Sequence, residues 1–250
     1  TLQRSRYRSP GRAESTVHRV TSHYCSLLII AFSALLISSS VSADDDLAAL
    51  RTKARSGDAE AQFELGSMYF FGIGIPGDDR EAVKWFHKAA EQGHVTAQFN
   101  LGKAYLNSQG APHNAREAVK WFQLAAEQGD AYGQIFLGMM YEKGKGVPQD
   151  YKEAVKWYRL AAEQGNANAQ FNLAQMYANG DGVTQDYKEA IKWWKLAAEQ
   201  GNAGVQYKLG HMYEKGHGVR QNYYEAVKWY QRAAEQDNAD AKRKIYDLAK

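Results

Sequence analysis

Two imidazoles and a carboxylate fall within seven residues at His211, Glu214 and His217, and these residue types bind transition metals. The spacing argues against a site, because the three straddle a predicted loop. His87, His94 and His113 stand at other phases of the chain and bring no further ligand. They read as surface histidines, and no metal or other cofactor is expected. Cys25 is the single cysteine, so residues 44–250 have no disulfide, no thiolate nucleophile and no cysteine-based metal site. Gly-x-Gly loops recur at Gly72/Gly74, Gly144/Gly146, Gly180/Gly182 and Gly216/Gly218, but no strand precedes them, as a phosphate-cradling loop requires. No nucleophile stands beside a base. No catalytic residues are assigned.

Binding chemistry is better represented. Tyr132, Phe136, Met139 and Lys143 lie at i, i+4, i+7 and i+11, one stripe of a predicted helix. The opposite face carries Gly133, Gln134, Leu137, Gly138 and Tyr141, which read as the packed side. Asn100, Lys103, Asn172 and Gln175 occupy the same stripe in the neighbouring units. An aromatic and thioether centre inside a polar rim is how protein-binding hot spots are built. The competing reading rotates the helix and packs Tyr132, Phe136 and Met139 inside. The stripe's charge drifts from Glu60 and Glu64 at one end to Lys208, His211 and Lys215 at the other. Such a drift either orients an extended partner or is solvated surface.

The elements that position this stripe repeat with a fixed period. Ala-Ala-Glu-Gln-Gly stands at 89–93, 125–129, 161–165 and 197–201, and Ala-Ala-Glu-Gln-Asp at 233–237, always 36 residues apart. Trp85, Trp121, Trp157, Trp193 and Trp229 keep the same beat and read as core knobs. A period of this length means units that stack and bury their apolar faces on their neighbours. Within a unit, a glycine ends one helix and an Asp, Asn or His caps the next. After a Gly-rich loop, Asp150 with Glu153 (likewise Asp78/Glu81, Asn114/Glu117, Asp186/Glu189 and Asn222/Glu225) reads as a capping box opening a second helix. The expectation is an all-α, right-handed α-α superhelical solenoid of helix-turn-helix repeats. Residues 44–56 form an N-terminal cap helix. Five repeats follow at 57–92, 93–128, 129–164, 165–200 and 201–236, with a C-terminal cap helix at 237–250.

Charge and the first 43 residues bound the function further. The formal charge of +3 comes from five arginines in residues 1–43; residues 44–250 hold 26 basic and 27 acidic side chains. That balance disfavours nucleic acid as a partner. Leu27 to Ile37 is an apolar run broken only by Ser33, followed by small residues to Ala43. It reads as a secretory signal cut after Ala43, and it is shorter than the roughly 20 residues a spanning helix needs. The long polar stretch ahead of it makes a start nearer Val20 the expected one. The protein is therefore expected to be exported, periplasmic or secreted, with no membrane span after signal removal.

The pattern Ala-x-Ala-Gln-Phe-x-Leu-Gly-x-x-Tyr, then Gly-x-Gly-Val, then Asp-x-x-Glu-Ala-x-x-Trp-Tyr-x-x-Ala-Ala-Glu-Gln-Gly resembles the Sel-1-like repeat, a relative of the tetratricopeptide repeat. It covers 57–236. Ser108, Ala174, Thr184 and Arg220 depart from it, which questions local loop geometry only. The resemblance implies a non-catalytic scaffold or adaptor binding a protein or peptide in a concave groove lined by the first helices. Cysteine-rich secreted relatives imply an alternative, a penicillin-binding or β-lactamase-like hydrolase. Those relatives carry a disulfide pair in each repeat, which residues 44–250 lack. A cell-wall glycan binder is a third reading, since exposed aromatics such as Tyr132 serve sugars equally.

Overall fold

Each 36-residue unit folds into two helices because its glycines and caps leave the backbone no other course. Gly129 sits at φ 90°, in the left-handed region that ends a helix, and the Asp130 carboxylate then accepts the N–H of Gly133 to start the next. The computed structural model describes residues 43–249, which hold twelve helices and, among the described residues, no strand. In order these are α1 (Ala43–Arg55), α2 (Ala59–Phe71), α3 (Asp79–Glu91), α4 (Val95–Asn107), α5 (Ala115–Glu127), α6 (Ala131–Lys143), α7 (Tyr151–Glu163), α8 (Ala167–Asn179), α9 (Tyr187–Glu199), α10 (Ala203–Lys215), α11 (Tyr223–Ala234) and α12 (Ala239–Leu248). The chain divides into two units, residues 1–49 and 50–250, and the repeats lie in the second. From α2 onward each helix packs on the next, so this unit is an all-α repeat solenoid. The apolar run 27–37, Cys25 and the expected cleavage point lie in or beside the stretch outside the described residues.

The core is built around one glutamine per repeat. Gln134 is buried, and its side-chain amide donates to the Ala126 carbonyl at the end of the preceding second helix (3.2 Å). Its carbonyl oxygen accepts from Gln164, at the end of its own repeat's second helix (2.8 Å). Gln62, Gln98, Gln170 and Gln206 make the same two bonds in their repeats. A buried amide left unpaired would cost about 1–3 kcal/mol, so the pairing fixes how each repeat sits on the one before.

In four of the five repeats helix contact is set by a ring against a glycine, and in the fourth Ala174 takes the glycine's place in the cluster with Trp194. A Cβ at Gly138 would stand 2.8 Å from a ring carbon of Tyr158, and Gly66, Gly102 and Gly210 meet Phe86, Phe122 and Tyr230 as closely. These rings are fully buried, whereas Trp85, Trp121, Trp157 and Trp193 are only half-buried. The expected tryptophan knobs are thus corrected. The core knob is the residue after each tryptophan, and Trp229 alone among the five is buried. The first-helix residue facing that knob changes with it. Tyr158 and Tyr230 donate their hydroxyls to Glu142 and Glu214. Phe86 meets Phe70, Phe122 packs with Leu106, and Trp194 packs with Ala178, its indole N–H left without an acceptor.

The expected capping box is half present. Asp150 accepts the N–H groups of Lys152 and Glu153, but its own N–H is already bonded to the Tyr141 carbonyl (3.0 Å). Glu153 has no orphan donor to reach back to and pairs with Lys156 instead. The same substitution of partners occurs at Glu81, Glu117, Glu189 and Glu225, which hold Lys84, Lys120, Lys192 and Lys228 in an exposed ladder. The Gly-x-Gly loops also have a packing reason. A Cβ on Gly146 would lie 2.3 Å from the Ala115 carbonyl oxygen, so only glycine lets this loop rest on the start of the previous repeat's second helix. Ser108, the departure in the loop of the second repeat, adopts the left-handed conformation regardless, at φ 57°.

The last repeat is tied to the cap helix through Glu214. Its buried carboxylate accepts from Tyr230 (2.6 Å) and pairs with Lys244 of α12 (3.0 Å) and Lys215 (3.1 Å). Burial alone would raise this carboxyl, but the hydrogen bonds from Tyr230, Lys244 and Lys215 bring it down from 4.5 to about 2. A depressed carboxyl contributes stability that is complete above its unfolded value and lost as pH falls through its folded one. We expect α12 to loosen progressively between about pH 4.5 and pH 2, a loss on the order of 3 kcal/mol, read as faster amide exchange in 239–248. Glu214→Gln should remove the pH dependence; an unchanged slope in that variant would refute the assignment.

Candidate functional site

The relay and the ring contacts occupy one side of each first helix and leave the other to vary. On α6 that side presents Tyr132, 44 % exposed, then Phe136 and Met139, half-buried, and Lys143, exposed. Asn100 and Lys103 on α4 and Asn172 and Gln175 on α8 are half-buried at matching phases. The eight residues predicted as a stripe therefore lie along the outward and half-outward sides of three successive first helices. In the first repeat the stripe is incomplete: Ser67 is buried and donates to the Phe63 carbonyl (2.9 Å).

Phe136 fits neither of the two expectations for it, outward or packed inside. The other repeats place Phe63, Phe99, Phe171 or Tyr207 one position earlier, half-buried on the core. In the central repeat that position is Ile135, which is buried, and the aromatic moves one residue outward to Phe136. Its ring then closes on Phe99 of the previous repeat, edge-on at 5.3 Å, and on Phe122 at 5.1 Å. Tyr132 stands over Phe99 at 5.8 Å. The result is an aromatic ridge crossing the boundary between the second and third repeats. Its inner rings are structural, and its outer ring, Tyr132, is partly exposed.

Charge along this face is more local than the predicted drift. Glu60 is engaged by His94, whose Nδ1 also caps α4 (3.1 Å and 3.2 Å), and Lys215 by Glu214. Among the described residues, Lys103 and Lys208 are the half-buried lysines with no salt-bridge partner. Lys103 Nζ lies 5.5 Å from the Phe99 ring centre, and Lys208 Nζ lies 4.6 Å from that of Trp194. Loss of water on burial pushes both ammonium groups below the ordinary lysine value.

Elsewhere the structure offers little reactive chemistry. The Glu214 carboxylate is consumed by Tyr230, Lys244 and Lys215, so it does not join His211 and His217. Among the described residues no group of three or more His, Cys, Asp or Glu side chains is arranged to hold a metal ion, and no helix is long and apolar enough to cross a membrane. A second apolar row lies on the second helices. Leu124, Leu160 and Leu196 recur every 36 residues on the second helices and are 42–45 % exposed. The signal was present, since Lys88 and Arg232 hold the same phase in the end repeats.

Comparison with known proteins follows this geometry. The Sel1 repeat matches five times, at residues 59–94, 95–130, 131–166, 167–202 and 203–238, two residues later in phase than the predicted repeats. A crystal structure of a protective antigen present in uropathogenic Escherichia coli strains, displaying an SLR fold, is 42% identical with a TM-score of 0.78. That match covers 81% of this chain and 43% of the antigen, so the chain spans less than half of that relative's length. A Sel1 repeat protein from Oxalobacter formigenes is 36% identical, with a TM-score of 0.69 over 77% of this chain and 76% of its own. No curated protein matches the chain.

Proposed function

We propose that this chain, which belongs to the Sel1 repeat family, is a non-catalytic scaffold that binds a protein or peptide along its first-helix face. Proteins of this family are generally protein-interaction scaffolds and generally non-catalytic. One observation carries the finer reading. The scaffold positions repeat from unit to unit, whereas the stripe changes in every repeat and gathers an exposed aromatic, Tyr132, in the middle. Asn100, Lys103, Asn172, Gln175 and Lys143 supply the polar rim around it. Anchors of this kind contribute affinity through burial of the ring on binding, and the rim sets register. Tyr132 would also suit a sugar ring, so a wall glycan is the second reading; the β-lactamase-like alternative has no residue pair in its favour. The apolar run 27–37 supports export, and an exported chain beginning at Asp44 by mass spectrometry would check it, whereas an uncut chain would oppose it.

The test of the binding face uses affinity capture from an envelope extract with three baits: the unaltered chain, Tyr132→Ser and Leu160→Ser. Phe136 is left intact because its ring holds Phe99 and Phe122. A protease-sensitive partner retained by the first and third baits, and weakened at least roughly tenfold by Tyr132→Ser, is the expected result. Retention lost only with Leu160→Ser would move the site to the second helices. A protease-resistant ligand, or hydrolysis of a chromogenic β-lactam, would favour the glycan or the enzyme.

A further inference from the structure

Between α8 and α10 the first-helix face opens into a cavity of about 530 Å³, and its walls carry one kind of charge. Asn168, Phe171, Asn202, Gly204, Lys208 and His211 line it, and no Asp or Glu is among its lining residues. The notch exists because of Gly204. The preceding repeats place Glu60, Thr96, Tyr132 and Asn168 at this phase, whereas a Cβ on Gly204 would meet only the Asn202 Oδ1, at 3.3 Å. Lys208 enters from the side, its ammonium over the Trp194 ring and 5.7 Å from the Phe171 ring centre, donating to Gln175. Asn202 uses its Oδ1 to cap α10 and keeps its amide nitrogen for another acceptor.

We propose that this pocket takes the carboxylate of a glutamate or aspartate on the bound polypeptide, with Lys208 as its counter-ion and the Asn168 and Asn202 amides as hydrogen-bond donors. The proposal rests on the reading of the first-helix face as a protein-binding surface. A half-buried ammonium without an acid has lost water and gained only an amide and two ring faces, so an incoming carboxylate restores a full partner. Lys208 is the one lysine or arginine among the lining residues, which suits a monoanion better than a phosphate dianion; burial holds His211 below the ordinary histidine value. Phe171 offers an apolar wall for the methylenes of the acidic side chain. The pocket spans the two repeats that follow that of Tyr132, so it would set the direction in which a segment anchored there must run.

The test titrates two capped pentapeptides, Ala-Ala-Glu-Ala-Ala and its neutral twin Ala-Ala-Gln-Ala-Ala, into the isotope-labelled chain. Magnetic resonance follows Lys208 Nζ and the Asn168 and Asn202 side-chain amides. The glutamate peptide should move all three and bind roughly tenfold more tightly than its twin. Lys208→Met should abolish the difference, and so should Gly204→Tyr, which fills the notch at a phase where Tyr132 is already accommodated. Equal responses to the two peptides, no response to either, or a glutamate response that survives Lys208→Met would overturn the pocket. The same titration on Tyr132→Ser separates this proposal from the one it rests on. A silent pocket with partner capture still dependent on Tyr132 removes the pocket alone. A working pocket without such dependence removes the aromatic anchor alone.

Discussion

One buried amide holds three helices in each repeat. Gln134 donates to the end of the preceding second helix and accepts from the end of its own, and four other glutamines do the same at 36-residue intervals. Hydrophobic contact between stacked helices is non-directional and tolerates small slides. A buried amide does not, because a slide leaves both its donor and its acceptor unmet. The relay therefore converts a sticky stack into a stack of fixed register. The glycine beneath four of the five core rings adds a second constraint, since a Cβ there would crowd the ring of Tyr158 or Phe122; under Trp194 the same place is taken by Ala174.

These constraints use one side of each first helix and free the other. Tyr132, Thr96, Asn168 and Gly204 can differ in size and polarity because this phase of the first helix lies outside the glutamine relay and the ring contacts of the core. Where the outer face does take on a packing role, as at Phe136, the sequence changes in a coordinated way: the usual aromatic becomes Ile135 and the ring appears one residue later. The same economy governs the second contact, where Glu142 and Glu214 appear opposite the tyrosines and Phe70, Leu106 or Ala178 elsewhere. A face that varies on a backbone that does not is a preformed surface, and a partner docking there would require little reordering of it.

Much of this was legible in the residues. The period, the left-handed glycines and the helix caps follow from spacing and side-chain chemistry alone, whereas spacing places Tyr132 and Lys143 on one stripe and leaves two rotations of the helix open. His94 caps its helix through Nδ1 although its residue type is not among the strong caps. Other features required the tertiary contacts. Trp157 and Tyr158 are adjacent and both aromatic, so periodicity could not say which one enters the core; the space above Gly138 decides it. The capping box failed because a carbonyl in the other helix, that of Tyr141, claims the donor first. The pocket beside Lys208 shows in the sequence only as a glycine where the other repeats carry a side chain, and a missing side chain does not announce its volume.

The central claim is that the buried glutamines, rather than apolar contact alone, hold the repeats in register, and side-chain amide exchange measures this directly. If the account is right, the side-chain amides of Gln62, Gln98, Gln134, Gln170 and Gln206 exchange with solvent orders of magnitude more slowly than that of exposed Gln123, and they do so together as denaturant is raised. Side-chain amides of the five that exchange as fast as Gln123 would mean that the relay is open in solution and that register is set by something else.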